Sequence, residues 1–411
     1  MAPPPAIRID DIRAAARAID GAVVRTPCVL SRTLSDMTGA TVVLKLESMQ
    51  YTASFKDRGA LNRLSALSAD ERRRGVIAMS AGNHAQSVAH HATRLGIPAT
   101  IVMPLDTPFI KVTNTERLGG SVVLHGATLE EAAAHAQRLR DERDLVFIHP
   151  YDDPLVIAGQ GTVALEMLEA MPDLDALVVP VGGGGLIAGC AIAAKALKPE
   201  IEIIGVEAAL YPSMRQVLAG EPPAAHGDTI AEGIAVKNPG QITRTIIAAQ
   251  VGDILLAPES EIEHAVHLLA EIEKLVVEGA GAAPLAAVLG DPDRFAGRRV
   301  GLVVSGGNID SRTLATVLMR GLVSAGRLLR VRVEVPDKPG SLARVTSLIG
   351  ALGGNIVEVV HQRWFHDIPA RLTEIDVMLE VRSAEDADKV VAALKGAGYR
   401  VVRLALTSGG G

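Results

Sequence analysis

Seven short runs of nearly unbroken apolar residues limit what this chain can become. They are 41–47 (TVVLKLE), 75–80 (GVIAMS), 99–104 (ATIVMP), 121–125 (SVVLH), 176–181 (ALVVPV), 201–207 (IEIIGVE) and 298–305 (RRVGLVVS). Each is the length of one strand. Several lack the polar–apolar alternation of a strand with one wet face, so they must be covered on both faces. Ala-, Leu-, Glu- and Arg-rich segments such as 128–143 and 185–197 lie between them and read as helices. This alternation predicts α/β layers around parallel sheets. The chain has 411 residues, 48% of them hydrophobic, which is too many for one ordinary core.

The pattern changes near residue 325. From 330 the chain reads strand, Asp-Lys-Pro-Gly turn, helix, Gly-Gly-Asn turn and strand to about 363. A strand at 370–382, a helix at 384–397 and a strand at 399–406 follow. This βαββαβ order is the ferredoxin-like plan. Two domains are expected, 1–325 and 326–411.

Charge and composition narrow the partners. The net charge is -6 and no lysine or arginine run makes a basic stripe, which argues against nucleic acid. No stretch of 18 apolar residues is present, so no membrane span is expected. The start, MAPPPAIRID, lacks the pattern of a signal peptide. Cys28 and Cys190 are far apart and outside any metal-ligand spacing, and fit reduced, buried thiols in a cytoplasmic protein. Small-molecule partners are expected.

Chemistry enters with glycine. In VVPVGGGGLIAG (178–189) four glycines follow a strand and open a helix, where backbone amides can approach an anion closely. A phosphate is the natural guest. Two readings fit. Gly183, Gly185 and Ala188 satisfy G-x-G-x-x-A, and Glu207 stands where a dinucleotide fold keeps its ribose carboxylate, which suggests a dehydrogenase. That reading leaves three features unused: SFKDRGA (54–60), SAGNHAQ (80–86) and SGGN (305–308). The last two follow apolar strands, and in open α/β sheets ligands sit at the carboxyl ends of strands. A phosphate cradle, one lysine amine and a few neutral donors are the parts pyridoxal phosphate needs.

Those four motifs, in this order, resemble the fold-type II pyridoxal phosphate enzymes, and residues 9–325 are similar to the threonine dehydratases (threonine ammonia-lyases). The tail resembles an ACT domain through DKPGSLARV and GGNI. The resemblance implies two open α/β subdomains like those of the tryptophan synthase β chain, the smaller spanning roughly 52–155, followed by a regulatory ACT domain. Lys56 is then the Schiff-base lysine and Phe55 packs beside the cofactor. Asn83 binds the cofactor's phenolic oxygen, and Gly182, Gly183, Gly184, Gly185 and Leu186 hold its phosphate. Gly233, in AEGIAVK, lies near it, and Ser305 faces the pyridine nitrogen. Ser80, Ala81, Gly82, Asn83 and His84 form the substrate side.

The implied reaction is elimination of water from L-threonine or L-serine, giving a 2-oxo acid and ammonia. Ala81 stands where related serine racemases carry a second serine that supplies a proton, so elimination is favoured over racemisation. Asp57 also fits a threonine synthase pattern, and dehydration of hydroxyaspartate is a further alternative. A catalytically silent amino-acid sensor is an alternative from another class. Glu207 matches a cation ligand of some relatives, but its usual second carboxylate is missing from AALYPS (208–213), so no metal is assigned. Glu278 matches a carboxylate near the site, or else is a solvated helix-start residue. Gly340 and Asn355 suggest an amino-acid effector site, with isoleucine and valine as the family's effectors, or the remnant of one in a dimerisation module. A homodimer or homotetramer is implied. His90 and His91, on different faces of one helix, read as packing or solvated residues. Trp364 and Phe365 read as tail packing or interface residues.

Overall fold

All seven apolar runs are strands, and they sort into two sheets. The larger sheet has the order Cys28–Ser31, Thr41–Leu46, Arg299–Val304, Ala176–Pro180, Glu202–Ala208, Asp253–Ala257. Its first strand is antiparallel to the second and the rest are parallel. The smaller sheet is parallel throughout, in the order Ser121–Leu124, Ala99–Met103, Val76–Met79, Val146–Phe147. The central strand Ala176–Pro180 is buried at every residue, as its unbroken apolar sequence requires. Three further strands were not anticipated: Cys28–Ser31 and Asp253–Ala257 are sheet edges, and Val146–Phe147 has two residues.

The computed structural model describes residues 7–362 and 369–404. Trp364 and Phe365 lie outside the described residues. The chain divides into two compact units, Met1–Ile309 and Asp310–Gly411.

In the first unit three helices meet almost at their backbones. A Cβ on Gly59, in the helix Lys56–Ser65, would fall 2.8 Å from the Val156 carbonyl oxygen in the helix Pro154–Ala170. A Cβ on Gly189, in the helix Gly185–Leu197, would fall 2.3 Å from the Ile157 carbonyl oxygen. These contacts lock the lysine's helix and the glycine loop's helix to one shared partner.

A buried ionic group ties the same region to the larger sheet. Arg58 donates to both oxygens of Glu47 at 2.7 and 2.8 Å, and to both oxygens of Glu166 at 2.6 and 2.8 Å. Lys45, itself fully buried, reaches Glu166 at 2.5 Å. Burial would push the Glu47 carboxyl up, but the Arg58 guanidinium outweighs it and holds it below its ordinary value.

The second unit contains a four-stranded antiparallel sheet in the order Asn355–Gln362, Leu372–Glu380, Leu328–Pro336, Arg400–Leu404. With the helices Ser341–Ala351 and Ala384–Gly396 it is the expected βαββαβ plan. Val331, Val333 and Val335 point into its core with Val345, Ile349, Ile375, Val377 and Leu394.

Candidate active site

Lys56 opens its helix and donates its amine to the Pro150 carbonyl at 2.6 Å. The residue is half-buried while the amine is enclosed by protein. Burial penalises the ammonium form and brings the pKa down to about 8, against the opposing charge of Glu278. The Phe55 ring lies below, 5.2 Å from the amine.

The Lys56 stretch is pinned to the Ser-Gly-Gly-Asn turn. Ser54 and Gly306 form an isolated antiparallel bridge. Phe55 N–H donates to the Ser305 carbonyl at 3.0 Å, and Gly307 N–H to the Ala53 carbonyl at 2.8 Å. Ala53 adopts φ 55°, a strained setting for a residue with a Cβ, and these bonds hold it there. Ser305 ends the strand Arg299–Val304 and is buried.

The Ser-Ala-Gly-Asn turn joins the same point. Ser80, Ala81 and Gly82 link the strand Val76–Met79 to the helix Asn83–Arg94, and the Ser80 hydroxyl accepts from Gly82 N–H at 3.2 Å. Asn308 Nδ2 donates to Asn83 Oδ1 at 2.6 Å and to the Thr52 carbonyl at 2.8 Å. Asn83 Nδ2 donates to Glu278 Oε1 at 2.8 Å, and Glu278 N–H donates to the Gly306 carbonyl at 3.1 Å. A Cβ on Gly233 would stand 3.4 Å from Glu278 Oε1. Glu278, 8% exposed, is therefore not a solvated helix-start residue but the point where four segments meet. Burial pushes its pKa up to about 7, although the Asn83 amide favours the charged form.

The glycine loop closes the other side. Gly184 has φ 92°, a left-handed conformation that suits glycine at the start of the helix Gly185–Leu197. Thr243 Oγ1 donates to the Gly183 carbonyl at 2.7 Å. A Cβ on Gly183 would fall 2.2 Å from the Tyr151 ring, and one on Gly182 would fall 3.0 Å from Ile234 and Val236. Leu186 is buried in the first helical turn. Pro150 thus receives the lysine amine while its neighbour Tyr151 packs on the glycine loop.

The segment 149–153 was not anticipated. His149 Nδ1 accepts the amides of Tyr151 at 3.2 Å and Asp152 at 2.8 Å. Asp152 accepts the amides of Gln241, Ile242 and Thr243 at 2.9, 2.9 and 3.2 Å, capping the helix that carries Thr243. Asp153 caps the helix Pro154–Ala170 and receives Arg63 Nε at 3.1 Å. The Asp-Pro pair at 153–154 is a helix-start signature that the sequence does offer. Tyr151 gives no such signal.

Other expected residues lie elsewhere. His84 is buried beneath its turn, Nε2 2.9 Å from the Ile148 carbonyl, and burial with the Lys56 charge lowers its pKa to about 3. Asp57 turns away from the site: it accepts Thr52 N–H at 3.0 Å and Thr52 O–H at 2.6 Å, and lies 3.3 Å from His91 Nε2. Burial would raise its pKa, but His91 and the two Thr52 hydrogen bonds together outweigh it and lower it. The His91 contact is not aligned as a hydrogen bond. Asp57 is thus spent on structure, holding the Thr52 turn. His90 stacks on Tyr51 at 4.1 Å. Glu207 accepts the amides of Met214 at 2.7 Å and Arg215 at 3.0 Å, and burial raises its pKa to about 7. Both its oxygens are engaged, which removes the ribose ligand of the dinucleotide reading. Among the described residues no group of three His, Cys, Asp or Glu side chains could hold a metal ion. Both cysteines are free thiols.

An enclosed amine with a lowered pKa, beside a helix-start glycine loop with no room for side chains, fits pyridoxal phosphate. The fold and site define a fold-type II pyridoxal phosphate enzyme. Residues 19–306 match the family described as pyridoxal-phosphate dependent enzyme, and 329–398 match the ACT domain. The chain is 43% identical to an L-threonine ammonia-lyase of Thermotoga maritima over 397 residues, 96% of this chain and 99% of that protein. Among solved structures, maize serine racemase aligns with TM-score 0.73 and 37% identity over 78% of this chain and 99% of its own. The processed form of threonine deaminase isoform 2 from Solanum lycopersicum aligns with TM-score 0.71 and 37% identity, over 76% and 91%. This chain belongs to the pyridoxal-phosphate dependent enzyme family and carries an ACT domain.

Proposed function

We propose that the protein deaminates L-threonine, and L-serine beside it, by removing water across Cα and Cβ; the released enamine takes up water again to give 2-oxobutanoate or pyruvate and ammonia. The observation that carries this reading is the Lys56 amine: enclosed, lowered to about pKa 8, and joined through Pro150 and Tyr151 to the glycine loop. Relatives named for threonine deamination, matching nearly the whole chain, supply the substrate.

When bound, pyridoxal phosphate supplies an aldehyde that Lys56 can hold and a sink for the electrons left at the substrate's α-carbon. The amides of Gly182, Gly183, Gly184, Gly185 and Leu186 would hold the phosphate. Phe55 would flank the ring, Asn83 would bind its phenolic oxygen, Gly233 would keep the neighbouring space open, and Ser305 would face its nitrogen. Ser80, Ala81, Gly82 and Asn83 receive the substrate carboxylate. His84 supports that turn from below through the Ile148 carbonyl.

Lys56 serves as the base that takes the α-proton onto Nζ. At pH 7 about a tenth of an amine with pKa 8 is neutral, against far less than a hundredth at the ordinary lysine value. The Ser305 hydroxyl adds no charge to the ring nitrogen, which favours prompt loss of the β-hydroxyl over a long-lived carbanion. The Ala81 methyl carries no proton to return to the α-carbon, which separates this chain from the racemases it resembles in fold.

The ACT unit is read as a regulatory module, with Gly340 and Asn355 at its amino-acid site. The protein is read as a cytoplasmic homodimer or homotetramer. Among the described residues no helix is long and apolar enough to cross a membrane. An assay of 2-oxo acid from L-threonine, L-serine and 3-hydroxyaspartate tests the activity; no oxo acid from any of them would overturn it. Ser305→Ala is expected to keep the bound cofactor's yellow absorbance and lose activity. A variant as active as the parent would remove Ser305 from the reaction.

A further inference from the structure

The substrate of the proposed reaction is a free amino acid, which arrives carrying a carboxylate. The turn that would hold it, Ser80 to Asn83, offers neutral groups. A lysine stands within electrostatic reach of Glu278, the acceptor of the Asn83 amide. Lys111, in the helix Phe109–Arg117, forms an ion pair with Glu232, in the short helical turn Glu232–Ile234. The Lys111 side chain is 23% exposed and that of Glu232 is 72% exposed.

The location of the pair makes it more than a surface salt bridge. Gly233, next to Glu232, is the residue whose Cβ would stand 3.4 Å from Glu278 Oε1. The charges of Lys111 and Glu232 both reach Glu278, with opposite sign. The same strap packs on the glycine loop, since a Cβ on Gly182 would meet Ile234 and Val236. Lys111 lies among the elements of the smaller sheet and Glu232 among those of the larger, so the pair joins the two sides within electrostatic reach of Glu278.

An exposed ion pair is worth little, since two solvated charges gain only a modest attraction. A partner bound that weakly is readily exchanged for another carboxylate. We propose that Lys111 pairs with the substrate's carboxylate in the bound state, beside the neutral Ser80–Asn83 turn, and that Glu232 occupies Lys111 as a placeholder when the substrate is absent. The ligand class is a free α-amino acid, and an amide or ester of the same acid would not displace Glu232. This proposal rests on the functional reading above.

The test uses the full-length, cofactor-loaded protein and the change in visible absorbance when an unreactive amine binds. L-Alanine has a carboxylate and no β-leaving group; L-alaninamide has the same amine and no carboxylate. Lys111→Met should weaken L-alanine about fivefold and leave L-alaninamide where it was. Glu232→Gln removes the placeholder and should strengthen L-alanine. Loss of affinity for both ligands alike in Lys111→Met would overturn the proposal, as would no loss for either, or weaker L-alanine binding in Glu232→Gln. A parent protein whose absorbance ignores L-alanine and L-threonine would overturn the functional reading and the subsite together. A responsive parent with an indifferent Lys111→Met would overturn the subsite alone.

Discussion

Lys56 decides the chemistry through its protonation, and its surroundings set that protonation. Its pKa falls to about 8 because burial strips water from the ammonium, while Glu278 pulls the other way. Competitive labelling of the cofactor-free protein with an amine-reactive reagent should therefore show a Lys56 midpoint near pH 8. Glu278→Gln deletes the charge that favours the ammonium, so the midpoint should move lower still. A midpoint that rises would contradict the placement of Glu278. The linkage has a definite sign. Between about pH 8 and the ordinary lysine value of 10.5 the unfolded chain holds a proton that the folded chain has shed. Stability of the cofactor-free protein should then gain a contribution as pH rises through that window, measurable by denaturant titration. The lysine's identity was legible from the motif around it. The groups around its amine were not, because Pro150 and Glu278 lie 94 and 222 residues away in the chain and reach it only through the fold.

At the scale of elements, the site depends on three helices in near-backbone contact. Gly189→Ala would drive a Cβ to 2.3 Å from the Ile157 carbonyl oxygen, and backbone cannot yield as a side-chain tip can. Overpacking of this kind costs about 1–3 kcal/mol, so thermal unfolding of the cofactor-free variant should come several degrees lower, by about 2–4 °C per kcal/mol. An unchanged melting temperature would mean that the helices have slack the close packing denies. Asp152→Ala should act differently. It removes the cap of the helix Gln241–Gln250 and costs about 1 kcal/mol. That helix carries Thr243, which holds the Gly183 carbonyl. Pyridoxal phosphate affinity should fall with stability, and a fluorescence titration of the cofactor-free protein would show it. The buried strands were legible because burial on both faces demands an unbroken apolar run. Cys28–Ser31 was not, since an edge strand with exposed Val29 and Leu30 carries no such demand. The segment 149–153 was missed for another reason: its residues act through caps and carbonyls, which few side-chain patterns announce.

At the scale of the whole molecule, the change of sequence rhythm near residue 325 marks a change of architecture and falls inside the second unit, which begins at Asp310. Arg330, Arg332 and Glu334 alternate with Val331, Val333 and Val335, the pattern of a strand with one face in a core, whereas strands of the first unit such as Val76–Met79 and Ala176–Pro180 are apolar throughout. A second unit influences the first only if its ligand distinguishes two states of the protein. That requirement is reciprocal: if L-isoleucine changes the affinity for L-alanine by some factor, L-alanine must change the affinity for L-isoleucine by the same factor. Calorimetry for one and cofactor absorbance for the other would measure both. A shared factor of about fivefold or more is expected. Gly340 has φ 84° at the start of the helix Ser341–Ala351, so Gly340→Val strains the proposed effector turn and alters no residue of the first unit's sequence. That variant should bind L-alanine as the parent does and lose its response to L-isoleucine. Isoleucine that binds with both factors equal to one would leave the ACT unit an assembly module, and regulation would have to be sought elsewhere.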